Sequence, residues 1–589
     1  MDQSRLFLAI AISIAILIGF QMLLPHPPPA HHPAPAHQVT ATAQPTESAP
    51  GATSPTASTP SARPATVQPA RKAPQLAILA PAVKGSIDLD GARLDQVVLR
   101  DYRETVNKNS PNVAVLGAVG GSRPYYVQFG WSAASGESIK LPGDDTLWKA
   151  SPGPISPGHP VTLSWDNGTG QVFRLVIDVD DHYMFHVQQE VVNHSATPIT
   201  LYPWSRIRRG YTPHIEGGSY LIHEGPLGVL NGTLHQFSYE STRNRAEKHD
   251  GVSFHSEGDG GWAGITDKYW LVALIPDQHA KAIVNIRYLL QNGQNTYQVD
   301  FISAAPEVVA PGGSAATVRH VFVGAKVLDL LGAYQHDLGI PYFEKAVDFG
   351  ILYIITRPTF YALDWLNALL GNFGLAIMAF TVCLRAVFFP LANKSYKSMS
   401  RMRLLQPKMK AIKEQFKDDS QRQQKEMMAL YKTEGVNPAA GCLPMLVQVP
   451  VFWALYKVLF VTIEMRHAPF FGWIRDLSAQ DPTNVFNLFG LIPFDPTIIS
   501  PMLQIGAWPL VMGVTMFLQQ RLNPAPPDPM QAKIFLLMPV VFTVMLAHFP
   551  VGLVIYYSWN NLLSVSQQWL IMRRTTLGKP KLARPSSQT

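Results

Sequence analysis

The stretch AFTVCLRAVFFPL, residues 379–391, places one arginine, Arg385, in a run that is otherwise apolar enough for the interior of a bilayer. A charged side chain at the middle of a membrane helix costs about 2.5–3.5 kcal/mol on insertion scales. Such a residue is therefore either relieved of that cost by its surroundings or kept for a function. The remaining sequence indicates which explanation applies.

The composition predicts a membrane protein that carries one large aqueous domain. The chain has 589 residues, of which 47% are hydrophobic and only 15% charged. Apolar residues concentrate at the N-terminus and after about residue 349, and the stretch between them is more polar. Both cysteines, Cys383 and Cys442, lie in or beside apolar segments, which argues against a disulfide scaffold. Without a phosphate-binding loop of the form G-x-x-x-x-G-K-S/T, we expect no nucleotide, and we expect no metal or other cofactor.

The N-terminal region predicts an anchor and a tether. Residues 1–24 contain a 19-residue apolar run, longer than the usual core of a signal peptide, and we predict an uncleaved membrane anchor helix. A cleaved signal peptide is the alternative, because Ala34-Pro35-Ala36 loosely imitates a cleavage site. Residues 25–75 are rich in Pro and Ala, which predicts a disordered linker.

Residues 76–334 predict a large β-sandwich domain. Short runs such as VTLSWDNGTGQVFRLVIDVD alternate apolar and polar residues between Gly, Asn, Asp and Pro turns, as antiparallel strands do. The motif GWAGITDKYWLVALIP, residues 261–276, is dense in aromatic side chains and sets Asp267 beside Lys268. A carbohydrate site would have this composition, but core packing with one solvated ion pair explains it more simply.

The C-terminal third predicts membrane helices. Residues 335–371 mix apolar and charged side chains and are expected to form an amphipathic segment along the membrane surface. Five candidate spans follow it, at residues 372–391, 441–463, 503–522, 534–549 and 551–572. With the anchor they make a multi-span α-helical membrane protein of six spans, five of which form the core.

Basic residues predict the orientation of these spans. The segment 392–440 carries eleven Lys and Arg residues, and the tail 573–589 carries five and no acidic residue. The loop 464–502 has only Arg466 and Arg475. By the positive-inside rule the first two segments are cytoplasmic, so we expect both termini to be cytoplasmic and the β domain and the loop 464–502 to be periplasmic.

The cytoplasmic segment itself predicts a helical hairpin. In its first half the apolar residues step by three and four, and in its second half KEMMALYK resumes the pattern. Two explanations stay open. The hairpin packs on itself, or its flexible methionines bind apolar segments of client proteins. The methionines that we predict for client capture are Met402, Met409, Met427 and Met428.

A polar stripe on the last span offers surroundings for Arg385. Tyr557, Asn561, Ser564 and Gln568 follow at i, i+4, i+7 and i+11, on one side of a helix. None of the five core spans contains Asp or Glu, so no carboxylate is available to Arg385 at depth. One interpretation is that the stripe lines water, and two alternatives to it stay open. Arg385 is about 9 Å from the end of its helix, so its long side chain would reach the membrane interface. Polar stripes also pack membrane helices together.

These segments resemble a known family. The arginine-bearing span, residues 425–456 (KEMMALYKTEGVNPAAGCLPMLVQVPVFWALY) and residues 549–571 (FPVGLVIYYSWNNLLSVSQQWLI) are similar to the YidC membrane-protein insertase family, and GWAGITDKYWL resembles its periplasmic domain. The resemblance implies a five-helix core with a hydrophilic groove that is open to cytoplasm and lipid and closed toward the periplasm. It also implies a periplasmic domain of the β-supersandwich type. The expected groove residues are Arg385, Thr381, Gln448, Tyr557, Asn561 and Ser564.

The resemblance further implies a monomeric insertase of the Gram-negative inner membrane that is not an enzyme. Its expected partners are nascent membrane proteins, the Sec translocon, the lipid bilayer and, through the basic loop and tail, the ribosome, with no specific nucleic acid. The alternative is a secondary transporter in which Arg385 binds an anionic solute. Internal repeats and carboxylates within spans would be expected of a transporter, and the sequence has neither.

Overall fold

The computed structural model describes residues 74–214, 222–291, 293–417, 419–436, 443–522 and 529–577. The predicted anchor, most of the predicted linker and the last twelve residues lie outside these ranges, so the structure does not bear on those predictions.

The first half of the described chain is a domain of β-strands that pair antiparallel in two sheets. The strands are β1 (Gln75–Leu79), β2 (Val83–Asp88), β3 (Arg93–Arg103), β4 (Asn112–Ala114), β5 (Tyr125–Ala133), β6 (Lys149–Ala150), β7 (Val161–Asp166), β8 (Gln171–Val179), β9 (Met184–Asn193), β10 (Ile199–Arg209), β11 (Gly225–Leu230), β12 (Thr233–Gln236), β13 (Val252–Asp259), β14 (Trp262–Thr266), β15 (Trp270–Ile275), β16 (Lys281–Gln291), β17 (Gln294–Ser303), β18 (Glu307–Val309) and β19 (Ser314–Ala325). One sheet has the order β1-β2-β3-β5-β10-β17-β16-β13, with β4 and β18 at its margins, and the other has the order β12-β11-β14-β15-β19-β9-β8-β7-β6. The predicted β domain is confirmed as a largely β-sheet domain.

Alternation of apolar and polar residues decides which face of each strand is buried. In β8, Phe173, Leu175 and Ile177 are buried, and the residues between them are partly exposed. Trp131 of β5 meets Phe173 edge to face, with ring centroids 5.1 Å apart, and so joins the two sheets. The core of the domain therefore lies between the sheets.

The aromatic motif at residues 261–276 forms the hairpin of β14 and β15 inside this core. Trp262 is fully buried, and Ala263 pairs with Leu274 across the hairpin. Asp267, at the turn, forms an ion pair of 2.7 Å with Arg209 of β10. The placement agrees with core packing, and the observed ion-pair partner comes from another strand rather than from the adjacent Lys268.

The second half of the described chain is helical. Its helices, with one short helix from the β domain placed first, are α1 (Tyr239–Ala246), α2 (Leu328–Asp337), α3 (Tyr353–Leu370), α4 (Phe373–Val387), α5 (Phe389–Gln415), α6 (Ser420–Thr433), α7 (Leu443–Val461), α8 (Ala507–Leu522), α9 (Pro529–Leu546) and α10 (Val551–Leu577). Short 3-10 turns occupy Phe343–Ala346, Ile463–Met465, Val485–Gly490, Pro496–Ile498 and Pro501–Leu503. Taken singly, no helix within the described ranges combines the length and hydropathy of a membrane span. Helices α4 and α5 do so only as a pair, bent by 69°.

Most helix ends differ from the predicted span boundaries by a few residues, and two differences are informative. Helix α5 begins at Phe389, before the predicted start of the hairpin at residue 392, because the apolar end of the arginine-bearing run and the basic segment share one helix after the bend. Helix α9 begins at Pro529 rather than at residue 534, because its polar first turn is also helical, and it ends at Leu546 rather than at residue 549.

Asp348 joins the β domain to the helices. Its carboxylate accepts a hydrogen bond of 3.1 Å from the backbone N–H of His223 and forms an ion pair of 3.1 Å with Lys457 of α7. The N–H of Gly350 donates to the same carboxylate at 2.9 Å. Burial raises the pKa of Asp348, but Lys457 and these donors outweigh it and hold that pKa below its ordinary value.

Candidate functional site

Five helices enclose a cavity of about 200 Å³ around Arg385, called here the Arg385 cavity. Helices α4, α5, α7, α8 and α10 each contribute side chains to its wall. All the predicted groove residues line it, namely Arg385, Thr381, Gln448, Tyr557, Asn561 and Ser564. The sequence-based prediction therefore grouped residues that the fold brings together from three separate helices.

Arg385 is partly buried and is held by neutral oxygen atoms of α10. Its Nε and Nη2 donate to Asn560 Oδ1 at 3.0 and 2.7 Å, and Nη2 also donates to the backbone oxygen of Asn560 at 3.0 Å. Nη2 donates further to Ser564 Oγ, and Nη1 donates to Gln567 Oε1 at 3.4 Å. These contacts fix the guanidinium but leave its full positive charge in the cavity.

Gln448 connects α7 to the same wall. Its Nε2 donates to Tyr556 Oη at 2.6 Å, and its Oε1 accepts from Asn560 Nδ2 at 3.4 Å. Asn560 therefore uses its oxygen for Arg385 and its amide nitrogen for Gln448. This chain of hydrogen bonds orients both amides.

The side chains of the polar stripe predicted on α10 bond to two different helices, α8 and α4. Asn561 donates to Thr515 Oγ1 of α8 at 3.3 Å, and Gln568 donates to the backbone oxygen of Leu522 at 3.1 Å. Only Ser564 of the predicted stripe bonds to Arg385. The other partners on α10, Asn560 and Gln567, were missed.

A signal for the missed residues was present in the sequence. Asn560, Ser564 and Gln567 also follow at i, i+4 and i+7, so two polar stripes share Ser564 and lie one residue apart on α10. One residue rotates a side chain by about 100° around the helix. Periodicity alone does not say which stripe faces Arg385, because that depends on how α10 is turned against α4.

Thr381 and Tyr557 line the cavity without bonding to Arg385. Thr381 Oγ1 donates to the backbone oxygen of Ile377 one turn earlier, at 2.7 Å. The Tyr557 ring packs edge to face on Phe452, with centroids 6.0 Å apart. These residues shape the wall of the cavity.

Apolar side chains close the cavity on the side of the β domain. Ile377, Leu455 and Ile555, from α4, α7 and α10, are buried in one cluster that continues into the core of the β domain. At that end the backbone N–H of Val551 donates to the oxygen of Ala479 at 2.7 Å, which fixes the start of α10. Polar access from this side would have to disrupt packed side chains.

A small apolar cluster joins the two helices of the hairpin, α5 and α6. Met409 is buried with Leu405, and Met402 and Met427 pack against this small cluster. Tyr431 Oη lies 3.9 Å from Met409 Sδ. These contacts correspond to the self-packing explanation for three of the four predicted methionines. Met428 is 49% exposed and stays available on the outer face.

The next question is whether the described residues could hold a metal ion. Within the described ranges, no three His, Cys, Asp or Glu side chains converge as the ligands of a metal ion would. The polar groups of the Arg385 cavity are one guanidinium, amides and hydroxyls, which suit a carboxylate or a hydrated polar chain.

The fold and the cavity define a class of protein in which a large β-sheet domain is joined to a bundle of apolar helices that enclose one arginine. The 60Kd inner membrane protein family matches residues 365–579, and the YidC periplasmic domain family matches residues 75–362. The Membrane protein insertase YidC of Granulibacter bethesdensis is 56% identical over 99% of this chain and 100% of its own length. That of Acidiphilium cryptum is 53% identical over 98% of each chain.

A crystal structure of an active YidC insertase with its first transmembrane domain resolved is also similar. It is 19% identical, covers 84% of this chain and 92% of its own, and gives a TM-score of 0.34. The present chain belongs to the YidC family of membrane protein insertases, proteins of the inner membrane with a periplasmic domain. The predicted family is confirmed, and so is the prediction that the protein is not an enzyme, since this family is one of insertases. The transporter alternative is not favoured by these relatives.

Proposed function

We propose that the Arg385 cavity receives the polar part of a newly made membrane protein while the adjoining apolar segment passes into lipid. The observation that carries this proposal is the charge of Arg385. Every hydrogen bond of its guanidinium to the described residues ends on a neutral oxygen. A positive charge that is held in place but not neutralised attracts an acidic residue of a client.

Insertion by this route needs no covalent chemistry. The main cost of moving a polar tail across a bilayer is the loss of its hydrogen bonds with water. A cavity with amide, hydroxyl and guanidinium groups replaces part of those bonds and shortens the apolar distance that the tail must cross. The apolar segment of the client then slides along α7 and α10 into the surrounding lipid.

The hairpin of α5 and α6 is the proposed point of first contact. Its outer surface exposes Leu404, at 75%, and Met428, at 49%. Helix α5 also lines the cavity through Tyr396 and Met399, so one helix connects the two places. A client that binds the outer face, or displaces Met402, Met409 and Met427 from their packed positions, is led toward Arg385.

The proposed arrangement in the membrane has six spans with both termini in the cytoplasm. It is supported by the eleven basic residues of segment 392–440 and by the position of Arg385, which lies at the end of α4 far from the β domain. On this proposal the β domain, of the supersandwich type, is periplasmic, and the apolar cluster at Leu455 closes the cavity on the periplasmic side.

The proposed partners are nascent membrane proteins, the Sec translocon and the ribosome, which the basic hairpin and tail would approach by charge attraction to its RNA surface. The protein is proposed to work as a monomer, alone or beside the translocon.

Reconstitution in liposomes tests the function. The purified full-length protein is supplied with a small one-span client that has an acidic translocated tail, and protease-protected insertion is measured. We expect insertion well above that of empty liposomes. Insertion no higher than in empty liposomes, accompanied by flux of an anionic solute, would replace the insertase with a transporter.

A further inference from the structure

The chain between α7 and α8 contains a segment whose exposed surface is apolar. Residues 484–503, called here the apolar loop, have Asp495 as their one charged side chain. Six large apolar side chains of this loop are at least half exposed: Leu488, Phe489, Leu491, Ile498, Ile499 and Met502. A continuous apolar surface of this kind is unusual where a protein meets only water.

The base of the loop is fixed to the start of α8. Asn484 Nδ2 donates to the backbone oxygen of Leu503 at 2.9 Å, and the N–H of Val485 donates to the oxygen of Ile505 at 2.9 Å. Nearby, the buried Asp481 accepts from the N–H of Trp508 at 2.9 Å. These hydrogen bonds hold the two ends of the loop together next to the start of α8.

Within the loop, backbone and polar side-chain groups bond to one another. The N–H groups of Phe489 and Ile492 donate to the oxygens of Asn484 and Asn487, at 2.8 and 3.1 Å. Asn487 Oδ1 accepts from the N–H of Gly490 at 2.9 Å. An apolar solvent demands this internal satisfaction, because it offers no partner to an unpaired backbone group.

The chain that leads to the loop is connected to a helix that is predicted to lie along the membrane surface. Helix α3, the proposed interfacial helix, exposes Ile354, Trp365 and Leu369 at 84%, 66% and 67%. The end of α3 is tied to the chain that leads to the loop, because Asn372 Nδ2 donates to the oxygen of Pro469 at 3.2 Å. The apolar loop is thus on the same side of the helices as α3, opposite the end of α4 that carries Arg385.

We infer that the apolar loop inserts its side chains into the acyl chains of the periplasmic leaflet and acts as a lipid contact separate from the membrane-spanning helices. The occupant of this surface is lipid rather than a protein. The loop has a single charged side chain with which to specify a protein partner. Its backbone groups bond within the loop, so they do not offer an edge to which a strand of a partner could add. The inference uses the proposed orientation of the protein but not the proposed role of Arg385.

Nitroxide accessibility in proteoliposomes tests the inference. In the full-length chain with Cys383→Ser and Cys442→Ser, a single spin label is placed by Leu491→Cys or by Ile498→Cys. Leu290→Cys is the matched control, since Leu290 is a leucine of the β domain with 67% exposure. Collision rates are measured with oxygen, which concentrates in lipid, and with a neutral nickel chelate, which stays in water.

We expect the ratio of oxygen to nickel collisions to be several-fold higher at positions 491 and 498 than at position 290. A ratio equal to that of position 290 would place the loop in water and overturn the inference. Low collision rates with both reagents would mean that a protein covers the loop, which also overturns it. Because neither readout depends on insertion activity, failure here is distinct from failure of the insertase proposal.

Discussion

Asn560 and Arg385 form a forked contact between α10 and α4: one amide oxygen accepts from both Nε and Nη2 of the guanidinium, at 3.0 and 2.7 Å. The same asparagine donates its amide nitrogen toward Gln448. A neutral residue thus positions the charge of the cavity. Substitutions at Arg385 test the charge itself, and substitutions at Asn560 test the effect of its neutral partner.

Replacing Arg385 tests the charge. Arg385→Lys keeps the positive charge, so we expect it to retain much of the insertion activity, whereas Arg385→Ala loses it for clients with acidic tails. An interaction with a charged group contributes about 1.5–3 kcal/mol, so the loss with Ala should be roughly tenfold or more. Protease-protected insertion is compared between acidic-tailed and neutral-tailed clients. Equal losses for both clients would indicate a role in folding instead.

Replacing Asn560 tests whether it matters that Arg385 pairs with no carboxylate among the residues that the structure describes. Asn560→Asp keeps the size of the side chain and provides Arg385 with an ion-pair partner, so we expect insertion of acidic-tailed clients to fall about as far as in Arg385→Ala. Gln568→Glu is the matched control, because Gln568 is also on α10 but bonds toward the backbone oxygen of Leu522 and is not among the residues that line the cavity. If both acidic substitutions reduced insertion alike, a general effect of negative charge in the helices would account for the result.

Cysteine labelling tests whether water enters the cavity from one side. In a background without Cys383 and Cys442, Tyr557→Cys should react with a small membrane-impermeant maleimide from the cytoplasmic side and poorly from the periplasmic side. Water favours the thiolate that maleimide chemistry requires. Leu562→Cys is the control, since Leu562 is exposed on another face of α10 and would meet lipid. Equal rates at the two positions would mean that the stripe is packed, and equal labelling from both sides would mean an open channel.

Breaking the ion pair between Lys457 and Asp348 tests the junction of the two domains. Lys457→Met leaves Asp348 charged in a largely buried place, and removal of one partner from such a pair costs about 3–5 kcal/mol. We expect a lower unfolding temperature in detergent near neutral pH. Lys457→Met combined with Asp348→Asn should recover part of the loss, because no uncompensated charge then remains.

The same pair predicts a dependence on pH. The pKa of Asp348 is held below its ordinary value in the folded protein. The charged carboxylate therefore contributes its full share of the folding stability above the ordinary pKa, and this share is lost as the pH falls through the lowered pKa. The difference in unfolding temperature between the wild type and Lys457→Met should therefore shrink in acid. A difference that stays constant down to low pH would show that Lys457 acts through packing alone.

The sequence allowed the β domain and most of the Arg385 cavity to be predicted, and the reasons are local. Period-two alternation in β8 follows directly from burial of Phe173, Leu175 and Ile177 on one face. The grouping of Arg385 with Gln448 and Ser564 followed from a charge without a carboxylate and from a family resemblance. Of the α10 residues that bond to Arg385, only Ser564 was predicted, because the rotation of a helix depends on the helices against which it packs.

Two other features required three-dimensional contacts. The methionine pattern of the hairpin fits self-packing and client binding equally well, and only burial distinguishes Met409 from the exposed Met428. The segment 464–502 was predicted as a periplasmic loop because it has only two basic residues, and that count does not indicate which of its apolar side chains are exposed. Their exposure depends on the bonds at Asn484 that close the loop at its base.

The bend of 69° at Phe388 lies beside Arg385, so a tilt of α5 about this bend would move every residue of α5 in proportion to its distance from the bend. At 1.5 Å per residue, Gln415 lies about 40 Å from the bend and Tyr396 about 12 Å. A tilt that displaces the far end of α5 by about 3 Å therefore moves Tyr396, in the wall of the cavity, by roughly 1 Å. On the proposed orientation, a client or partner that tilts the hairpin is therefore expected to change the width of the cavity as well.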